Sequence, residues 1–328
     1  MVMKNMDIMS TIKTPCLNLS ECNGLGDLIC ATPTIRKMSE AYESKVVVVS
    51  KMPELFKTLP YIEASYKESS INWEWFNNNY TMHNSFYLVG KKDERGIEMK
   101  HNTMDIRQFH AVHLGFMLDD LQCDYIPLEP LGIEIPFETY VVIHPVTTWA
   151  NRTWEAKKWM ELTKLLNDAN IAVVSLGKDS SETGFFNVDK PVFNFDIPLG
   201  MNLMNKTSIS DCHHIINKAA CIITMDSGLL HLAGTTNTPI IHLGSSLNPK
   251  LRTPYRNGSQ DYRYEYVRGS CDLQCCSNMK YGVKEWGSIQ GVQPLIGCLE
   301  KKETFECHPD VERVYKKTLE SIWAWPNY

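Results

Sequence analysis

The sequence predicts an α/β protein built on two parallel sheets, each flanked by helices. Short apolar runs alternate with amphipathic stretches along the whole chain, the pattern of a parallel sheet fed by crossover helices. At 328 residues the chain is too long for one ordinary domain and suits two. Pro127, Pro130 and Pro136 punctuate the stretch from Leu121 to Glu138, which reads as a linker. The expected units are therefore residues 1–138 and 139–328.

The elements follow in order. Cys16 to Leu19 reads as a short strand. Asp27 to Tyr42 reads as a helix with Leu28, Ile35, Met38 and Tyr42 on one face, its hydrogen bonding interrupted at Pro33. Val46 to Val49 is an unbroken β-branched run, the mark of a strand buried on both faces. Pro53 marks a helix start. Asn77 to Asn79 reads as loop, and Phe86 to Val89 as a candidate strand. Met104 to Met117 reads as a helix carrying Ile106, Phe109, Val112, His113 and Phe116. Beyond the linker come a strand at Tyr140 to Ile143, a helix at Glu155 to Asn167 and a strand at Ala172 to Leu176. Ser210 opens a further helix. A strand at Cys221 to Met225, a short helix from Gly228, a strand at Pro239 to Leu243 and a closing helix at Asp310 to Trp323 complete the pattern.

Composition narrows the function. With 43% hydrophobic and 22% charged residues the chain is of ordinary globular type. A net charge of −5 gives no general reason to expect nucleic acid or an anionic membrane surface as partner, and any membrane contact is expected to be peripheral at most. Lys91-Lys92 and the stretch from Lys250 to Arg256 are local basic segments suited to phosphates. No segment approaches the roughly 20 apolar residues of a membrane span. Met1 to Thr14 lacks the apolar core of a secretion signal, so a cytoplasmic location is expected. Of eleven cysteines, Cys16, Cys22, Cys30, Cys123, Cys212 and Cys221 stand singly and read as small buried hydrophobes. Cys271, Cys275, Cys276, Cys298 and Cys307 crowd into one late segment.

In open parallel sheets ligands bind beyond the carboxyl ends of the strands, and the motifs of interest lie there. Asp27 follows Gly24 and Gly26 at a helix start. It reads either as a capping carboxylate or as part of a turn whose glycines let backbone approach a ligand closely. The dinucleotide-binding fingerprint fails, because its third glycine would fall at Ile29. Thr147, Thr148 and Arg152 suit a diphosphate, or else form a hydroxyl turn beside a surface arginine. Trp154 and Trp159 read as packing residues. Asp226-Ser227-Gly228 reads as a tight strand-to-helix turn offering backbone N–H groups to an anion, with His231 placed to contact phosphate. Gly244-Ser245-Ser246 ends the next strand in the same fashion and is expected to line the nucleotide pocket.

Together these segments resemble the family 9 glycosyltransferases, the ADP-heptose:lipopolysaccharide heptosyltransferases. The family's Gly-x-Gly-Asp opening with a following Thr-Pro is similar to Gly24 to Pro33. Its His-Pro…(Lys/Arg)-x-Trp pattern corresponds to His144-Pro145 and Arg152 to Trp154. Its Asp-(Ser/Thr)-Gly-x-x-His-Leu pattern corresponds to Asp226 to Leu232, with Thr235 to Pro239 following. Arg152 stands where Lys is common and Val146 where Gly is common; residues 55–135 match only in outline.

The resemblance implies a GT-B fold of two facing Rossmann-like domains, the first holding the acceptor and the second the donor, with the last helix (310–324) returning onto the first. It implies an inverting, metal-independent transfer from a nucleotide diphosphate sugar, ADP-linked, to a hydroxyl of a glycan or protein. Asp27 would be the general base, and Thr147, Thr148 and Arg152 would hold the phosphates. Asp226 would orient donor hydroxyls, while Ser227, Gly228 and His231 would contact the diphosphate. Related autotransporter heptosyltransferases carry a cysteine cluster that binds iron. By that resemblance four thiolates, from Cys271, Cys275 or Cys276, Cys298 and Cys307, could form a structural iron or zinc site, against the alternative of reduced thiols packing a loop. No cofactor is expected for catalysis. The rival functions are a sugar-nucleotide epimerase or hydrolase, which needs a second acid–base carboxylate near Asp27, and a silent nucleotide-sugar-binding protein.

Overall fold

The computed structural model describes residues 13–22, 24–85, 104–129, 131–147, 152–178, 195–272 and 305–324. The first half comprises β1 (Pro15–Asn18), α1 (Leu25–Cys30), α2 (Thr32–Ala41), β2 (Val46–Ser50), β3 (Ile62–Lys67), α3 (Trp73–Asn79), β4 (Thr81–Asn84) and α4 (Ile106–His113). Its sheet has the order β3-β2-β1-β4, with every pair parallel. The second half comprises β5 (Tyr140–His144), α5 (Ala156–Asp168), β6 (Ala172–Ser175), β7 (Gly200–Asn202), α6 (Ile209–Lys218), β8 (Cys221–Thr224), α7 (Gly228–Ala233), β9 (Ile240–Leu243), β10 (Tyr264–Val267) and α8 (Val311–Ala324). This sheet runs β10-β9-β8-β5-β6-β7, again parallel throughout.

The expected single helix from Asp27 to Tyr42 is two helices. Pro33 lacks an N–H, and its ring crowds the carbonyl four residues back, so α1 stops at Cys30. The freed Ile29 carbonyl accepts from Thr32 Oγ1 at 2.7 Å instead. Asn77 to Asn79, read as loop, form the last turn of α3, which Asn72 caps and Phe76 anchors in the sheet. Phe86 to Val89 and Lys91-Lys92 lie outside the described residues.

The closing helix also departs from expectation. Rather than returning onto the first sheet, α8 packs on α5 and on β8, β9 and β10. Val311 and Val314 join the core around Trp154 and Trp159, and Trp154 Nε1 donates to the Pro309 carbonyl at 2.9 Å, pinning the helix start to the second half.

A second core is shared by the halves. Leu28, Ile29 and Cys30 of α1 bury with Cys123 and Tyr125 of the connecting stretch and with Leu229, Leu230 and Ala233 of α7. Helix α1 therefore lies against α7, bringing the two glycine-bearing motifs into contact.

Candidate active site

The site is built where α1 meets α7. Gly24 begins α1, and Asp27 Oδ2 accepts from the Gly24 N–H at 3.2 Å, so the carboxylate does cap its own helix. Asp27 is half-buried. Behind it His110 of α4 sets its ring against the Asp27 backbone, with its Nδ1 2.8 Å from Ser85 Oγ.

The glycines serve the helix crossing. A Cβ on Gly26 would lie 2.7 Å from His231 Cδ2, and one on Gly228 would lie 2.9 Å from the Leu25 Cβ. Close helix approach is thus a sufficient reason for both, beside the ligand approach read from the sequence. Gly26→Ala is expected to push the buried His231 ring off its position, costing about 1–3 kcal/mol by overpacking. A thermal melt checks this; a wild-type melting temperature would show that the crossing tolerates the methyl.

Asp226, just past β8, is the electrostatic centre. Its Oδ2 lies 3.1 Å from Arg152 Nη1 and 3.8 Å from Arg252 Nε, and its Oδ1 lies 3.9 Å from His231 Nε2. Burial alone would raise its pKa, but the two guanidiniums outweigh this and hold it at about 2. Burial drives His231 the other way, to about 4 despite the carboxylate, so the ring is neutral at neutral pH. Arg152 also donates to the Asp226 carbonyl at 3.3 Å. Ser227 caps α7, its Oγ accepting from Leu230 N at 3.4 Å and lying 3.0 Å from Thr224 Oγ1.

Other predicted residues lie further out. Thr147 Oγ1 sits 2.6 Å from Thr153 Oγ1, beside Arg152. Thr148 lies outside the described residues. The Gly244 N–H is taken by the Val267 carbonyl at 2.7 Å, and its Cα faces the Cys307 carbonyl, so it has no N–H to offer a ligand. Cys271 and Cys307 lie on paired segments, with Cys271 N donating to Glu306 O at 3.1 Å and Gly269 N to Cys307 O at 3.0 Å. Both thiols are buried. Cys275, Cys276 and Cys298 lie outside the described residues; among the described ones no three candidate ligands gather.

Three contributors were not singled out from the sequence. Arg107 of α4 is buried; its Nε donates to Asp105 Oδ1 at 2.7 Å and its Nη2 to the Thr253 carbonyl at 2.8 Å, tying the two halves together. Arg252 faces Asp226 from the basic stretch already noted. In that same stretch Arg256 is spent on structure, donating to the carbonyls of Thr236, Thr238, Tyr262 and Arg263 at 2.7–3.0 Å. The third is Cys30, whose Sγ lies 3.2 Å from His231 Nδ1.

Comparison with known proteins identifies the family. The family description "Glycosyltransferase family 9 (heptosyltransferase)" matches residues 107–281, just over half of the chain. The lipopolysaccharide core heptosyltransferase OpsX of Haemophilus influenzae is 24% identical over 172 residues, covering 50% of this chain and 48% of its own length. This chain thus spans about half the length of that curated relative. A glycosyltransferase family 9 structure from Veillonella parvula superposes with a TM-score of 0.66 at 13% identity, over 96% of this chain and 98% of that one. The iron-containing dodecameric heptosyltransferase TibC of enterotoxigenic E. coli, solved with ADP-D-beta-D-heptose, superposes at 0.67 and 17% identity, over 96% and 80%. At these identities the likeness is one of fold, and the fold is GT-B. The family match and the motifs gathered between the two sheets lead to one conclusion: the chain belongs to glycosyltransferase family 9.

Proposed function

We propose that this protein transfers heptose from ADP-heptose to a hydroxyl of a glycan, by a single inverting displacement that needs no metal. The observation that carries this reading is the α1–α7 contact, which sets Gly26, the residue before Asp27, against His231 of the cluster that also holds Arg152, Asp226 and Arg252. The acceptor oxygen attacks the anomeric carbon as the bond from that carbon to the diphosphate oxygen breaks. Asp27 takes the hydroxyl proton as the new bond forms. Arg152 and Arg252 supply positive charge for the departing ADP, and Thr147 a hydroxyl next to it. The two halves expected from the sequence, 1–138 and 139–328, would then hold acceptor and donor respectively.

Asp226 is the carboxylate of this cluster. Two guanidiniums keep it ionised, so it cannot act as the acid that an epimerase or hydrolase would require. Cys271 and Cys307 would contribute to a structural iron or zinc site, which would fix its own segment and take no part in the transfer.

The test is incubation with ADP-heptose and a lipopolysaccharide-core oligosaccharide, with and without EDTA. ADP release that depends on the acceptor, survives EDTA and yields a product of inverted anomeric configuration is the expected result. Retained configuration, loss of activity in EDTA, or transfer to a polypeptide alone would each overturn the corresponding part.

A further inference from the structure

We propose that the Cys30 thiol is a positioning residue: it fixes His231 as the Nε2–H tautomer, so that the ring presents a hydrogen-bond donor to the diphosphate of the donor nucleotide. This rests on the nucleotide-sugar reading above.

Cys30 ends α1, fully buried, and reaches a residue 201 positions away in the other half of the molecule. Its Sγ···Nδ1 distance of 3.2 Å is that of a hydrogen bond. The direction of that bond follows from its surroundings. Burial, and then a hydrogen bond with the neighbouring Cys123 thiol, raise the Cys30 pKa well above its usual range, so the group stays S–H; with the Cys123 thiol donating to Cys30 Sγ, the Cys30 proton is left for Nδ1. A neutral imidazole has one donor nitrogen and one acceptor nitrogen. If Nδ1 accepts from Cys30, the ring proton must sit on Nε2.

The opposite side of the ring selects the same form. Nε2 lies 3.9 Å from the ionised Asp226 Oδ1. A lone pair there would face a negative charge, whereas an N–H is attracted to it. At 3.9 Å the contact is too long for a hydrogen bond, which leaves the Nε2–H able to serve an incoming phosphate oxygen. The reverse tautomer would put Nδ1–H on sulfur, a weak acceptor, and the lone pair toward the carboxylate. Both neighbours therefore disfavour it. Cys16 and Cys221 are equally buried, yet burial is the sole cause of their raised pKa values, about 12 in each; Cys30 differs in touching a ring of the site.

The test uses the ¹⁵N-histidine-labelled protein, its Cys30→Ala and Cys30→Ser variants, and ADP as the probe. Long-range ¹⁵N–¹H correlation reads the tautomer, with the His231 signals assigned by their loss in His231→Asn. The wild type and Cys30→Ser are expected to show Nε2–H, and Cys30→Ala a mixture of tautomers. ADP affinity by calorimetry should fall about five-fold in Cys30→Ala, the equivalent of one hydrogen bond of about 1 kcal/mol, and recover in Cys30→Ser. A purely structural cysteine would lower the melting temperature without moving the tautomer. Nδ1–H in the wild type, or wild-type tautomer and affinity in Cys30→Ala, would overturn the proposal. Failure of the wild type itself to bind ADP would instead overturn the nucleotide reading and the ligand role of His231, while the spectrum would still decide whether Cys30 sets the tautomer.

Discussion

Asp27→Asn should lower kcat for heptose transfer by about 10³-fold, the typical contribution of a positioned general base, while leaving ADP binding and the melting temperature unchanged. The choice of Asn separates the two roles that this carboxylate holds. As a cap, Asp27 needs only an oxygen that accepts from the Gly24 N–H, and the Asn carbonyl oxygen provides one. As a base, it must take up a proton, which an amide does not do at neutral pH. Asp27→Ala would blur the two, because it removes the cap as well and costs about 1 kcal/mol of stability. Steady-state kinetics with ADP-heptose, a thermal melt and ADP calorimetry decide the matter. Native turnover in Asp27→Asn would reduce Asp27 to a cap and remove the base from the proposed mechanism. A slow variant that also melts early would show that the carboxylate acts through the helix it begins.

What the sequence disclosed of the fold divides by position in the sheets. Strands β1, β2, β5, β6, β8 and β9 are all interior, and each was read from an unbroken or nearly unbroken apolar run. The unread strands β3, β4, β7 and β10 are the four edges. An edge strand is covered on fewer sides, so its sequence need not be apolar throughout. Thr81-Met82-His83-Asn84 is only partly covered, and in β10 Val267 alone is buried. No local pattern marks such segments; pairing to an inner neighbour makes them strands. The closing helix is a different case. Its span was legible, but the half it covers is set by contacts such as that of Trp154 with the Pro309 carbonyl, across 155 residues.

The site divides in a similar way. Asp27, Arg152, Asp226 and His231 stood out because each lies in a motif whose glycine or hydroxyl neighbours are close by in the chain. Arg107 gave no comparable signal, since it lies among Ile106, Phe109 and Ala111 on a helix that reads as core, and only the fold carries its guanidinium to Thr253. The stretch from Lys250 to Arg256 announced basic charge but not its use: Arg256 satisfies backbone carbonyls while Arg252 faces Asp226. The glycines carry the clearest lesson. Gly26 and Gly228 suggested a ligand cradle, yet the helix crossing alone accounts for them, so a glycine pattern identifies close approach without saying to what.

The same burial that forms the site should make the protein acid-sensitive. His110, His144, His213, His231 and His242 are all buried, and burial lowers the pKa of each to about 4. In the unfolded chain each returns to about 6.5. Because the folded values are depressed, the unfolded state binds more protons between pH 4 and 6.5, and stability falls as pH drops through that window. By pH 5.5 each ring costs on the order of 1 kcal/mol, so the five together remove a large part of the 5–15 kcal/mol of a typical domain. Asp226 adds a lower step: its depressed pKa contributes stability above the unfolded carboxylate value that is lost as pH falls from about 4 toward 2. Urea unfolding at half-unit intervals from pH 8 to 4.5 should give a plateau above pH 7 and a steep decline below 6.5. His242→Gln, whose amide can keep a hydrogen bond to the Tyr264 hydroxyl now 2.6 Å from Nδ1, should flatten that decline by one proton's worth. A midpoint unchanged between pH 7 and 5 would mean that these rings ionise in place, and that the neutral His231 of the proposed donor site is not maintained by burial.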